Sequence, residues 1–157
     1  MRGAIRTVVG AAATGLLVLA MSNPAAAVTM EYDTAVRDTS SVPNEFCVGS
    51  GNVAATGCFK PYGDVVFASD HAADTDAVYT LWQNQLRDST GTWGLYRNGK
   101  CTYSEGAYSK GACNKEMYEH SIRNAWGGTG SRVRVMACVD DIGDDTCGSW
   151  SSWIYND

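Results

Sequence analysis

The chain has 157 residues, with 12 Lys and Arg against 17 Asp and Glu, a formal net charge of −5, and 45% hydrophobic residues. The acidic balance repels phosphate backbones, so nucleic acid is not expected as a partner. The apolar content suffices for a core and the length for one domain, which excludes a disordered tail and a large multidomain enzyme.

Residues 1–27 read as a secretory signal peptide. Arg2 and Arg6 precede an uncharged run from Val8 to Ala20, Pro24 stands shortly after it, and Ala25-Ala26-Ala27 offers the small residues that signal peptidases cut after. The run is shorter than the ~20 residues a membrane span needs and no second one occurs downstream, so no span is expected and the product is expected to be secreted and extracellular. Loss of the two arginines takes the charge to −7.

Residues 28–45 form an arm ahead of the first cysteine. Its first nine residues alternate, with Val28, Met30, Tyr32, Thr34 and Val36 on one face and Thr29, Glu31, Asp33 and Ala35 on the other. Asp38-Thr39-Ser40-Ser41 and Pro43-Asn44 then read as a flexible polar linker. An alternating strand on such a tether suits β-strand addition to a partner, with Val28, Met30, Tyr32 and Val36 as contacting side chains. The alternative is that it pairs with an edge of its own sheet, or frays.

Residues 46–157 carry the framework. Cys47, Cys58, Cys101, Cys113, Cys138 and Cys147 are an even set in a chain expected to be exported, which reads as disulfides. Six cysteines allow 15 pairings. The turn-rich segments between near neighbours favour 47–58, 101–113 and 138–147, each stapling a hairpin or loop. Zinc is disfavoured, because no Cys-x-x-Cys occurs and neither His71 nor His120 stands at ligand spacing from a cysteine pair.

The elements along this part are mostly strands. Tyr62 to Ser69 carries Val65, Val66 and Phe67 after a Lys60-Pro61 turn. Ala77 to Arg87 fits a helix or a strand, and the turn at Asp88-Ser89-Thr90-Gly91 followed by the β-prone Thr92 to Tyr96 favours the strand. Asn98-Gly99 signals a tight hairpin, with Lys100 to Tyr103 as its return strand. Asn114 to Trp126 admits one short helix, capped by Asn114 and closed by Gly127-Gly128. Arg132 to Val139 alternates cleanly, and Cys147 to Tyr155 returns after the Asp140–Asp145 turn. The expected fold class is all-β with room for one short helix: a small antiparallel sandwich or barrel stapled by three disulfides.

Sites of chemistry are sparse, and no catalytic residue and no cofactor is expected. Neither a Gly-x-Ser-x-Gly elbow nor a His-Glu-x-x-His helix is present. Ser69, Asp70 and His71 contain hydrolytic residue types, but triads assemble from distant positions, so a solvated loop is the favoured reading. Glu105, Glu116 and Glu119 are carboxylates without a sign of a shared cleft, and His120 reads as a surface residue. The Asp70, Asp74 and Asp76 group and the Asp140–Asp145 turn lack calcium-loop spacing. Trp93 or Trp153 would serve a glycan- or cell-wall-binding module through ring stacking. Trp150 and Trp153, three apart on a strand, are expected on opposite faces.

Cys58-Phe59-Lys60-Pro61-Tyr62-Gly63-Asp64, Trp82-Gln83-Asn84, Tyr96-Arg97-Asn98-Gly99-Lys100-Cys101, Cys113-Asn114-Lys115-Glu116 and Cys147-Gly148-Ser149-Trp150 together resemble the small cysteine-rich secreted proteins of filamentous actinobacteria. Within that group the plan is similar to the adaptor subunit of umbrella toxin particles. The resemblance implies a non-catalytic protein whose N-terminal segment docks into a cleft of a lectin-like partner while its body holds a stalked toxin subunit. The resulting expectation is a secreted adaptor in an antibacterial toxin complex, binding protein partners through arm and body. A glycan-binding module is the competing class, and a small secreted hydrolase the third.

Overall fold

A computed structural model describes residues 28–156; the signal-peptide reading falls on residues outside them. Among the described residues, eleven strands form two sheets that face each other as a sandwich. The first sheet has the order β1 (Met30–Thr34), β7 (Trp93–Tyr103), β6 (Ala77–Asp88), β9 (Gly127–Asp140), β10 (Thr146–Cys147), with β11 (Ile154–Tyr155) also on β9. The second has the order β2 (Val36–Arg37), β8 (Ser109–Asn114), β5 (Val65–Asp70), β4 (Ala55–Lys60), β3 (Cys47–Gly49). The all-β expectation holds, and the ambiguous Ala77 to Arg87 segment is a strand.

Period-two alternation builds the core. Val78, Trp82 and Leu86 of β6 and Val133, Val135, Ala137 and Val139 of β9 turn inward and are fully buried. They meet Ala55, Phe59, Val66 and Ala68 from the second sheet. The sheets also touch through polar groups: the Thr80 hydroxyl donates to the Phe67 carbonyl at 2.8 Å.

All three expected disulfides are present: Cys47–Cys58, Cys101–Cys113 and Cys138–Cys147. Two of them staple neighbouring strands at directly opposed positions, Cys47 against Cys58 and Cys138 against Cys147, with Cα atoms 4.1 Å apart. The third does more than staple a loop. Cys101 lies in the first sheet and Cys113 in the second, so this buried bridge joins the layers.

Two local expectations are corrected. Asn98-Gly99 is no turn: β7 runs unbroken from Trp93 to Tyr103, paired with β6 on one side and β1 on the other. The glycine answers a packing demand instead. A Cβ on Gly99 would lie 2.6 Å from Cζ2 of Trp82 and 2.8 Å from the Glu31 carbonyl oxygen. The short helix over Asn114 to Trp126 does not form, and no α-helix occurs among the described residues. This segment is held by bonds to distant parts of the chain. Lys115 N–H donates to the Asp64 carbonyl, Met117 N–H to the Asp64 carboxylate, and the Asn124 amide to the Arg87 and Gly130 carbonyls. Its apolar residues have no common core face, since Ile122 and Trp126 are exposed.

Gly99→Ala is expected to destabilise the fold by about 1–3 kcal/mol, because Trp82 has no space to retreat. Urea unfolding followed by tryptophan fluorescence measures this; unchanged stability would show that the indole does not press on the strand.

Candidate functional site

Residues 30–37 are an integral edge of both sheets, the alternative in which the arm pairs with its own body rather than standing free. Met30 to Thr34 pairs in parallel with Asn98 to Thr102, and Ala35 N–H donates to the Thr102 carbonyl at 2.7 Å. The chain then changes layers, and Val36 and Arg37 pair antiparallel with Ala112 and Gly111. Ala35, 2% exposed, is the buried step between the sheets.

Charge fixes which face of the arm points inward. Glu31 sits beside Gly99 and Asp33 beside the buried Cys101, so both carboxylates turn toward the interior. Arg97 grips Glu31 with two bonds, Nε to Oε1 at 2.7 Å and Nη2 to Oε2 at 2.9 Å. The Lys115 ammonium, on a residue only 7% exposed, reaches Glu31 Oε2 at 3.0 Å and also pairs with Asp33. The Arg97 hydrogen bond is the main cause that holds the Glu31 carboxyl below its usual range, with partial burial opposing it. Glu31 in turn raises Arg97.

The alternation of the arm is therefore inverted relative to an ordinary edge strand: acids face in and apolar residues face out. Tyr32 is 75% exposed and Val36 73% exposed, on the free borders of the first and second sheet respectively. Val28 and Met30 are half-buried. Of the four side chains expected at a partner contact, two are thus fully displayed and two partly covered.

A second arrangement lies on the outer face of the first sheet, where Arg132 and Arg134 of β9 interleave with three tryptophans. The Arg132 guanidinium carbon is 4.5 Å from the Trp93 ring and 4.7 Å from Trp153. That of Arg134 is 4.8 Å from Trp153 and 4.7 Å from Trp150. Residues two apart on a strand are separated by about 7 Å, so Trp153 lies between the two guanidiniums. Gln85 Oε1 accepts two bonds from Arg132, and Gln83 Oε1 two from Arg134. The stack runs Trp93, Arg132, Trp153, Arg134, Trp150.

This corrects the expectation that Trp150 and Trp153 face opposite ways. Gly148 N–H bonds to the Ala137 carbonyl, Ser151 N–H to Val135, and Ile154 aligns with Val133. Three residues of the C-terminal segment thus pass for every two of β9, the count of a β-bulge made twice. A three-residue repeat puts both tryptophans on one side. It also bears on glycan stacking, because the Trp153 ring already packs against two arginines and the Trp93 ring against one.

The remaining sequence candidates are dispersed. His71 Nε2 pairs with the Thr56 hydroxyl at 2.9 Å, and Asp70 accepts from Ala72 N–H at 2.9 Å, so no Ser69, His71 and Asp70 relay forms. Asp74 accepts from Asp76 N–H, an ordinary turn bond. Asp145 accepts from the Tyr79 hydroxyl, whose pKa is raised by burial first and by that carboxylate second. Among the described residues no three His, Cys, Asp or Glu side chains converge on a possible metal position. No helix there is long and apolar enough to cross a membrane. His120 packs its ring edge-on to Tyr155.

No family model matches the chain, and no match is found among curated proteins or solved structures.

Arg97, Lys115, Arg132, Arg134, Gln83 and Gln85 escaped sequence reasoning. The last four had a signal, since Gln83-x-Gln85 and Arg132-x-Arg134 share the period of a strand face. Arg97 and Lys115 had none, because their acids lie more than sixty residues upstream.

Two outcomes test these arrangements. Glu31 has a lowered folded-state pKa, so its contribution to stability is complete at pH 7 and is lost as pH falls below about 4. Glu31→Gln is expected to lower stability at pH 7 and to flatten its decline in acid, measured by denaturant titration at several pH values. Trp153→Ala breaks two arginine contacts and is expected to cost about 1–2 kcal/mol, roughly twice the effect of losing the single contact in Trp150→Ala; equal losses in thermal unfolding would argue against the stack.

Proposed function

We propose that this chain is a secreted, non-catalytic adaptor that binds a protein partner along the edge formed by residues 30–37. The observation that carries the proposal is the inverted alternation: the acids are spent inside on Arg97 and Lys115, while Tyr32 and Val36 face solvent on the borders of both sheets. Exposed apolar side chains on an edge strand are a liability unless a partner covers them. An outermost strand also leaves one row of backbone N–H and C=O groups unpaired, which a partner strand can complete.

The arm engages in this reading without leaving its own sheet. It meets a strand of the partner from a fixed position, so little ordering entropy is lost on binding. Inward-pointing charges on an edge strand usually discourage strand addition. Here they are matched by cations and leave the outer border open. Three disulfides and the absence of a spanning helix among the described residues are compatible with an extracellular setting. The motif resemblance to adaptor subunits of umbrella toxin particles is of the same kind, and suggests a secreted antibacterial toxin complex as the setting.

Affinity purification of tagged protein from the producing organism's culture supernatant tests the proposal, with Tyr32→Glu and Val36→Glu as variants that keep the interior untouched. A stoichiometric protein recovered with the unaltered chain and lost from both variants is expected. No stoichiometric protein, or one retained equally by both variants, would overturn it.

A further inference from the structure

On the outer face of the second sheet the chain makes a strap. β2 lies at one border of that sheet and β3 at the other, so residues 38–46 cross from side to side over β8, β5 and β4. Lys110 holds the strap through the Ser40 carbonyl and through its own carbonyl, which accepts from Asp38 N–H. Two hollows flank it, of about 380 and 320 Å³, and both are lined by Ser69, His71 and Lys110.

The larger hollow has the make-up of a ligand site. Its volume lies at the small end of the ~300–1,000 Å³ that small-molecule sites span. Asp70, 5% exposed, and Ser69 are buried polar groups on its wall. Arg37 and Lys110 add cations, balanced by Asp38 and Asp70, so the hollow carries both signs in equal number. Tyr108 stands at the rim, 75% exposed.

Tyr108 is one of three non-glycine residues with a positive φ among the described residues, with Val53 and Asp64, and of the three it is the one that lines this hollow. Its φ is 53°, in the left-handed region, at the end of the turn between β7 and β8. Glycine adopts that backbone freely, and a bulky side chain adopts it at a cost. Gly106, two residues earlier, shows the usual solution at φ 115°. Three-quarters of this ring's surface lies in solvent, so its burial offsets little of that cost. Such departures from local preference gather at functional sites.

We infer that the Tyr108 hollow is a binding site for a single neutral sugar ring. Each hydroxyl of a pyranose both donates and accepts, which calls for carboxylates and cations interleaved around it. Its C–H face packs on an aromatic ring. Arg37, Lys110 and His71 supply donors, Asp70 and Ser69 supply acceptors, and Tyr108 supplies the ring. Balanced charge disfavours an ionic ligand. This site is separate from the stacked tryptophans, which pack against arginines, and it adjoins the partner-binding edge, whose last residue, Arg37, lines it.

NMR titration of the mature protein tests the inference, with methyl glycosides of glucose, mannose, galactose and N-acetylglucosamine, an unbranched oligosaccharide of whichever sugar binds, and glucuronate as charged control. Saturable binding of a neutral glycoside is expected with a Kd of order 1 mM, with shifts confined to residues 37–39, 69–71 and 108–110 and with weaker binding of glucuronate. Equal affinity for the oligosaccharide marks a chain end as the source, and loss of affinity marks the free sugar. Tyr108→Gly supplies the control for structure: it is expected to melt at or above the unaltered protein and to bind at least tenfold more weakly. No saturation by any neutral glycoside, shifts elsewhere, or a Tyr108→Gly variant that melts lower or binds equally well would overturn the inference.

Discussion

The buried ammonium of Lys115 is the constraint on which the arrangement of the edges depends. An ammonium removed from water is tolerated only when counter-charges close around it. Both of its acids, Glu31 and Asp33, come from the arm. The ammonium is buried while its two carboxylates keep about a third of their surface in solvent, and together they tie the segment ahead of the first cysteine to the body. Once Glu31 and Asp33 face inward, Tyr32 must face outward, Ala35 falls between the layers, and Val36 is delivered to the second sheet. Arg97 and Lys115 also lie over the Trp82 ring, at 5.6 and 5.0 Å, so the same cluster roofs the largest buried side chain.

The opposite border is closed by other means. β10 and the C-terminal segment lie along β9, and β3 lies along β4. A Cβ on Gly148 would sit 2.0 Å from the Gly49 carbonyl oxygen, so the two layers meet there backbone to backbone. Cys47–Cys58 and Cys138–Cys147 each fix an outer strand of two or three residues, too short to hold its place by hydrogen bonds alone. One border is thus cross-linked covalently and the other ionically, while Cys101–Cys113 ties the layers between them.

How much of this was legible depends on how local each determinant is. Alternation in Arg132 to Val139 depends on neighbours in sequence, and it placed β9 and its inner face correctly. The cysteine pairs were legible because each closes a short, turn-rich loop, although nothing local said that Cys101 and Cys113 belong to different layers. Asn98-Gly99 misled because the same glycine serves a tight turn and a close approach, and only the position of Trp82 separates the two. The polarity of the arm misled in a similar way: acids at Glu31 and Asp33 look solvated until Lys115 and Arg97 are known to face them. At the C-terminus the period itself changed from two to three, which a strand reading of Trp150 and Trp153 does not anticipate.

The position of β1 sets an order of events in assembly. It is the earliest strand of the described chain, yet it pairs with a strand more than sixty residues downstream, and its ammonium partner lies further still. While the body folds, β7 and β8 each have an open border, and the arm has nothing to pair with. Closing so long a loop is slow relative to the local hairpins of β4 with β5 and β6 with β7. The first of the described strands to emerge is therefore the last to be seated, and the folding chain passes through an interval in which its arm is loose and its acceptor borders are bare.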